Sequence, residues 1–324
     1  MPGSRPRPSP AGGGSFAARR AAAAAALAVA LLAAVLLVRG CGGSEDARPA
    51  GAGATATPTP AQLAELPGGG RRIFPGRRIV AFYGNPADDE LGELGIGAPS
   101  QAGRRLLRQA RAYERPKRKV LPAMELLVGI ANADPGDDGL YLRRERPAVI
   151  RRYLRAARGI GALLVLDIQP GRARFLPEAK RLERWLREPD VGLALDPEWH
   201  VGPGEIPGQV IGSVDAADVN AVARWLDRLT GEAQLPQKLF VVHQFTEDMI
   251  QGKQLLRPHR NLATVLNTDG FGTAVVKKAK YREFAKGAPW TFDGFKLFYR
   301  EDVGLMTPRQ VLRMRPSPDV VVYE

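Results

Sequence analysis

From residue 77 to residue 324, short and strongly apolar runs alternate with amphipathic helical patterns, and this alternation limits the fold more than any other feature. The strand candidates are RIVAFYG from Arg78, KVLPAME from Lys119, ALLVLDI from Ala162 and VGLALD from Val191. They continue with KLFVVHQF from Lys238, LATVLN from Leu262, FDGFKLFY from Phe292 and DVVVYE from Asp319. Helical periodicity is predicted between them over 104–114, 147–159, 177–187, 216–230, 274–285 and 308–314. In the fourth of these, Val219, Val222, Leu226 and Leu229 recur every three or four residues and make one buried stripe. Asp215 is placed to cap it, and Thr307-Pro308 supplies a cap and a first-turn proline for the last. The stretch 246–260 shows no such period and reads as a loop with one turn of helix.

Strands this short and this continuously apolar suit burial on both faces, as in a parallel sheet. Strict β–α alternation over about 250 residues predicts a (β/α)8 TIM barrel. An open doubly wound sheet is the alternative, but no GxGxxG follows the first strand. The chain stops on the eighth strand candidate, so the barrel, placed over 76–324, is expected to lack its last outer helix.

Ahead of the barrel the pattern changes. Arg19 and Arg20 precede an uncharged run of Ala, Leu and Val from Ala21 to Val38. At about 1.5 Å per residue, about 18 residues reach about 27 Å, close to the thickness of a bilayer's hydrocarbon core. The single cysteine, Cys41, follows in LVRGCGG, which resembles a bacterial lipobox with Arg39 where a small residue is usual. Residues 1–41 therefore read as a signal, lipoprotein or signal-anchor segment, with Cys41 as the lipidation candidate. Arg5, Arg7, Arg19 and Arg20 precede the run, so the positive-inside rule puts the remainder on the outer face of the cytoplasmic membrane. Residues 42–75, dominated by Gly, Ala, Pro and Thr, read as a flexible tether.

Several function classes drop out. One cysteine excludes a disulfide framework, and GxxxxGK[ST] and GxSxG are absent. His200, His243 and His259 form no HxxxH or HxH pair, so the spacing marks no histidine-built metal site, and no cofactor is expected. The net charge of +13 comes from an Arg-heavy composition with no stretch of bases interleaved with aromatics, so nucleic acid is not an expected partner. The crowded acids of NADPGDDG, Asn132–Gly139, lack the closing glutamate of a calcium loop and read as a surface turn.

In a barrel of this kind the C-terminal strand ends carry the chemistry. The first polar residues there are Glu125, Asp167 with Gln169 beyond it, Asp196 with Glu198, His243 with Gln244, and Asn267 with Asp269. Tyr83 ends the first run, Tyr299 the seventh, and Tyr323 and Glu324 the eighth. Carboxyls converging on one rim suit general acid/base work. Glu198, Asp196, Asp167, Glu125 and Asp269 are the catalytic candidates; Trp199, His243, Gln244, Asn267, Tyr83, Tyr299 and Gln169 are the candidates for holding substrate. Asp196 and Glu198 are two apart, and a close pair lets one acid stay protonated beside its charged neighbour, as protonation of a glycosidic oxygen requires.

GLALDPEW resembles the fourth-strand motif of the family 18, chitinase-like, glycosidases, with Gly192, Leu193, Asp196, Glu198 and Trp199 in register. The resemblance implies that Glu198 is a general acid and that Asp196 orients a substrate N-acetyl group. Val191 and Ala194 stand where that family has acids, and VLNTDGFG lacks its Met-x-Tyr-Asp. Through FYGNP, LDIQPG, LDPEW and HQF the domain also resembles an uncharacterised family of secreted or lipid-anchored bacterial barrels, which implies the fold and location but no reaction. Two expectations stay open: a membrane-tethered, extracytoplasmic, monomeric glycoside-hydrolase-like barrel acting on an envelope or extracellular glycan, or a non-catalytic envelope protein that binds a glycan or partner.

Overall fold

The computed structural model describes residues 63–285 and 288–324. Its core is a closed barrel of eight parallel strands. The strands are β1 (Arg77–Gly84), β2 (Lys119–Ala131), β3 (Leu163–Ile168), β4 (Val191–Leu195), β5 (Lys238–Gln244), β6 (Leu262–Thr268), β7 (Phe292–Leu297) and β8 (Val320–Tyr323). Closure occurs at β1, where Ile79 lies opposite Leu121 of β2 on one side and Val320 of β8 on the other. The (β/α)8 barrel predicted from the alternation is the observed fold. Helices α1 (Pro99–Arg111), α2 (Pro147–Arg158), α3 (Phe175–Arg181), α4 (Glu183–Leu186), α5 (Ala216–Glu232), α6 (Ala274–Phe284) and α7 (Pro308–Leu312) make the connections. Among the described residues, β5 and β6 are joined by 3-10 turns at Glu247–Met249 and Lys253–Leu255 and a two-residue strand, in keeping with the missing helical period.

The continuous apolar runs have a direct cause. Neighbouring residues of one strand enter two different cores: Ile79, Ala81, Val165, Val241 and Val265 fill the barrel, while Val80, Phe82, Leu164, Val242 and Leu266 pack outward among Leu106, Tyr153 and Leu226 of the helices. Both faces are dry, so both parities are apolar. Caps divide as their side chains allow. Thr307 accepts a hydrogen bond from the Gln310 amide, whereas Asp215 occupies the cap position of α5 without making a capping bond.

The tether ends sooner than the composition suggests. Leu66, Ile73 and Phe74 are buried within the inner core, and the Phe74 ring stands 4.3 Å from that of Phe292 at the start of β7. The Ile73 N–H donates to Gln237 Oε1 at 2.9 Å, just ahead of β5. Residues 66–74 therefore stopper the N-terminal end of the barrel, so the packed domain starts ahead of residue 76. Ala21–Val38 and Cys41 lie outside the described residues; among the described residues, no helix is long and apolar enough to cross a membrane.

Candidate active site

Counting inward positions by twos from the apolar floor brings every strand to a polar residue at the opposite end. These are Tyr83 on β1, Glu125 on β2, Asp167 on β3, Asp196 just past β4, His243 on β5, Asn267 on β6, Lys296 on β7 and Glu324 just past β8. All but Glu324 are at most 3% exposed. A ring this polar and this dry holds together only through its internal pairing.

His243 is the hub. Its Nε2 lies 3.0 Å from Glu125 Oε1 and its Nδ1 2.9 Å from Asp269 Oδ2, with the Asn267 amide 3.2 Å from that second nitrogen. Burial works against a charged imidazole, but the bonds to Asp269 and Glu125 outweigh it and raise the pKa well above the ordinary value. Both ring nitrogens then donate. Lys296 is the second cation, with Nζ 3.1 Å from Asp269 Oδ2, 2.6 Å from Glu324 Oε2 and 3.7 Å from the centre of the Tyr83 ring. Burial again opposes the charge, yet Asp269 and Glu324 hold the ammonium well above its usual pKa. Burial would also neutralise Asp269; Lys296 and His243 override it and keep the carboxylate well below its usual range.

The acids nearer the fourth strand behave oppositely. Burial raises Asp167 to about 6, against the pull of His243, and the Glu125 charge adds to the rise. Burial raises Asp196 well above the usual range, again against His243 and with the help of Asp167. Gln169 lies between the groups, its Nε2 donating to Tyr83 Oη at 3.2 Å and, at 3.5 Å, to Asp196 Oδ2. Both carboxylate oxygens of Asp167 and Oδ1 of Asp196 are buried without a hydrogen-bond partner among the described residues.

Glu198 sits higher, on a 3-10 turn over Pro197–Trp199 that Pro197 starts. It is half-buried, and its carboxyl is pushed up to about 7 by burial first and then by Asp269 and Glu324, with Lys296 and His243 pulling the other way. Trp199 beside it is also half-buried.

The expected residues thus separate by parity. Glu125, Asp167, Asp196, Asp269, Tyr83, His243, Asn267 and Gln169 meet in the ring, with Glu198 at its lip, while Trp199 lies beside Gly208. Gln244 and Tyr299 do not join it. Gln244 follows the inward His243 and so turns outward, where it donates to the carbonyls of Thr246 and Glu247 and accepts from Lys253 at 2.7 Å. Tyr299 follows the inward-parity Phe298, stacks on Tyr323 at 5.1 Å and donates to Gln109 of α1 at 3.1 Å. Tyr323 itself bonds Tyr113 in the outer layer, at 2.6 Å. Sequence reasoning missed Lys296, although its even spacing from Phe292 and Gly294 placed it on the inward parity. Gly294 has its own reason: a Cβ there would fall 2.9 Å from Asn267 Cα on the adjacent strand.

The NADPGDDG segment is a surface turn closed by its own side chains, with Asn132 and Asp134 accepting from the amides two residues on. Comparison with models of known protein families and with curated proteins returns no match for this chain. What the site does is therefore argued from its chemistry.

Proposed function

We propose that this barrel hydrolyses a glycosidic bond by general acid catalysis, with Glu198 as the proton donor. The observation that supports this reading is the placement of Glu198: a half-buried carboxyl at the mouth of an acid-lined barrel, raised to about 7 and so substantially protonated at neutral pH. An acid of that kind, within reach of a leaving oxygen, contributes about 10²–10⁴-fold to a rate. Asp269, kept anionic by Lys296 and His243, supplies the opposing charge for an oxocarbenium-like transition state. Asp196, kept protonated by burial, is a donor for a substrate carbonyl such as an N-acetyl group, the role the resemblance implies for it. Trp199 offers a face for a sugar ring. The Ala21–Val38 run and Cys41 support a location on the outer side of the cytoplasmic membrane, with an envelope or extracellular glycan as the substrate.

The test is release of reducing ends by the full-length chain from bacterial envelope glycans and chitin-type oligosaccharides. Glu198→Gln is expected to lower the rate about 10²-fold or more, and the wild-type rate is expected to fall as pH rises through about 7, where the donor loses its proton. Silence from the wild-type protein across the panel, with glycan still bound, would replace this reading with a binding barrel. Val191 and Ala194, standing where the chitinase-like pattern has acids, are the features that favour that second reading.

A further inference from the structure

The charge of the ring does not close on itself. Glu125, Asp167, Asp269 and Glu324 face only Lys296 and His243 as cations among the described residues of the ring. The deficit is concentrated at Asp167, which is fully buried, whose two carboxylate oxygens accept no hydrogen bond among the described residues, and whose nearest cationic atom is His243 Nε2 at 3.9 Å. Leaving a buried carboxylate unpaired is costly, and the buried charges of proteins are normally paired or bound to metal.

Geometry points the same way. Glu125, Asp167 and His243 each offer one donor atom, and these atoms lie within 4.8 Å of one another. His243 Nε2 stands 3.0 Å from Glu125 Oε1 and 3.9 Å from Asp167 Oδ2. Ligands bound at about 2.0–2.2 Å around a four- to six-coordinate ion are themselves about 3–3.6 Å apart; the Glu125–His243 pair already meets this, and Asp167 has to close in on the other two. The other histidine nitrogen already has the partner that metal-bound imidazoles require: Nδ1 faces Asp269 Oδ2 at 2.9 Å, an arrangement that orients the ring and makes Nε2 the metal-facing atom.

We propose that Glu125, Asp167 and His243 form a divalent metal site in the barrel mouth. One imidazole with two carboxylates suits a first-row transition ion such as Zn²⁺ or Mn²⁺ better than Ca²⁺ or Mg²⁺, which prefer all-oxygen shells. On binding, the proton of His243 Nε2 leaves to solvent, its lone pair enters the metal bond, and the contact with Glu125 becomes two bonds to a shared ion. Three protein ligands leave coordination open for water or substrate, as in catalytic metal sites. No pair of histidines announces this site because its ligands come from three separate strands, β2, β3 and β5.

The experiment strips the full-length chain with chelator and dialyses it against ZnCl₂ or MnCl₂. Metal content is then measured by mass spectrometry, and Tm is recorded with and without the ion. One ion per chain and a saturable rise in Tm are expected. Asp167→Asn should weaken binding at least tenfold while the protein keeps its fold, since the change removes a buried charge that makes no hydrogen bond. Should that variant not fold, Glu125→Gln is judged by the same two readouts. Asp137→Asn, in the surface turn, should bind as the wild type does. A wild-type protein that retains no ion overturns the proposal, and so does a folded Asp167→Asn protein that retains as much as the wild type. Glu198→Gln should keep its ion whatever happens to glycan cleavage, so the metal site and the hydrolase reading fail separately.

Discussion

Two buried lysines sit at opposite ends of the same barrel and meet opposite fates. Lys296, in the mouth, touches the carboxylates of Asp269 and Glu324 and is held charged. Lys238, which opens β5 at the foot, touches only the backbone carbonyls of Glu188 and Val191, at 2.7 and 2.9 Å. Burial lowers its pKa to about 7, with the more distant Asp190 and Glu188 recovering a part. Residue type and burial are the same; full negative charge within bonding distance is the difference. Desolvation prevails where only carbonyls answer it and is overridden where two carboxylates do.

The comparison breaks most visibly at Lys296. Replacing it with Met leaves Glu324 without its cation and Asp269 with His243 alone, and a loss of about 3–5 kcal/mol is expected, the range for removing one partner of a buried pair. Urea denaturation measures it, and a loss below 1 kcal/mol would mean the mouth is far wetter than its burial implies. At the foot the stopper carries the load. Phe74→Ala empties the space against Phe292 and is expected to cost about 3 kcal/mol, as for other buried aromatic truncations, without altering the ring's titration.

Gly294→Ala drives a methyl toward Asn267 Cα and should cost about 1–3 kcal/mol, the range for overpacking, mapped by chemical shifts on β6. The subtlest difference is a slope. Between pH 7 and 10 unfolded Lys238 binds a proton that the folded amine has lost, so stability rises with pH there. The wild type should gain on Lys238→Met by roughly 1.4 kcal/mol per pH unit, and parallel stability curves for the two proteins would show that Lys238 is charged when folded.

The same contrast explains what could be read in advance. Strand and helix alternation was plain because each strand is dry on both faces, and the strand-end acids stood out against those runs. Taking the first polar residue after each run ignored parity, however. That rule groups Gln244 and Tyr299 with residues whose side chains point the other way, and it skips Lys296, which lies inside the run FDGFKLFY and not after it. Glu324 was seen as a strand end but not as the partner of Lys296, a contact that depends on β7 pairing with β8. The stopper was less legible still. Two buried side chains in GGGRRIFPGRR show no period, and only the closed barrel gives them something to fill.

The order in which the strands supply the ring has a consequence for assembly. The first four bring the carboxyl groups of Glu125, Asp167 and Asp196 beside a neutral Tyr83, and no base; both cations, His243 and Lys296, arrive with the last four. A half-barrel emerging from the ribosome thus carries a surface that repels itself and has nothing to neutralise it. Its acids stay hydrated until β5 and β7 are made. The ring is a checkpoint written in charge: the N-terminal half cannot dry its own interior, and the water leaves only when the second half has closed the circle.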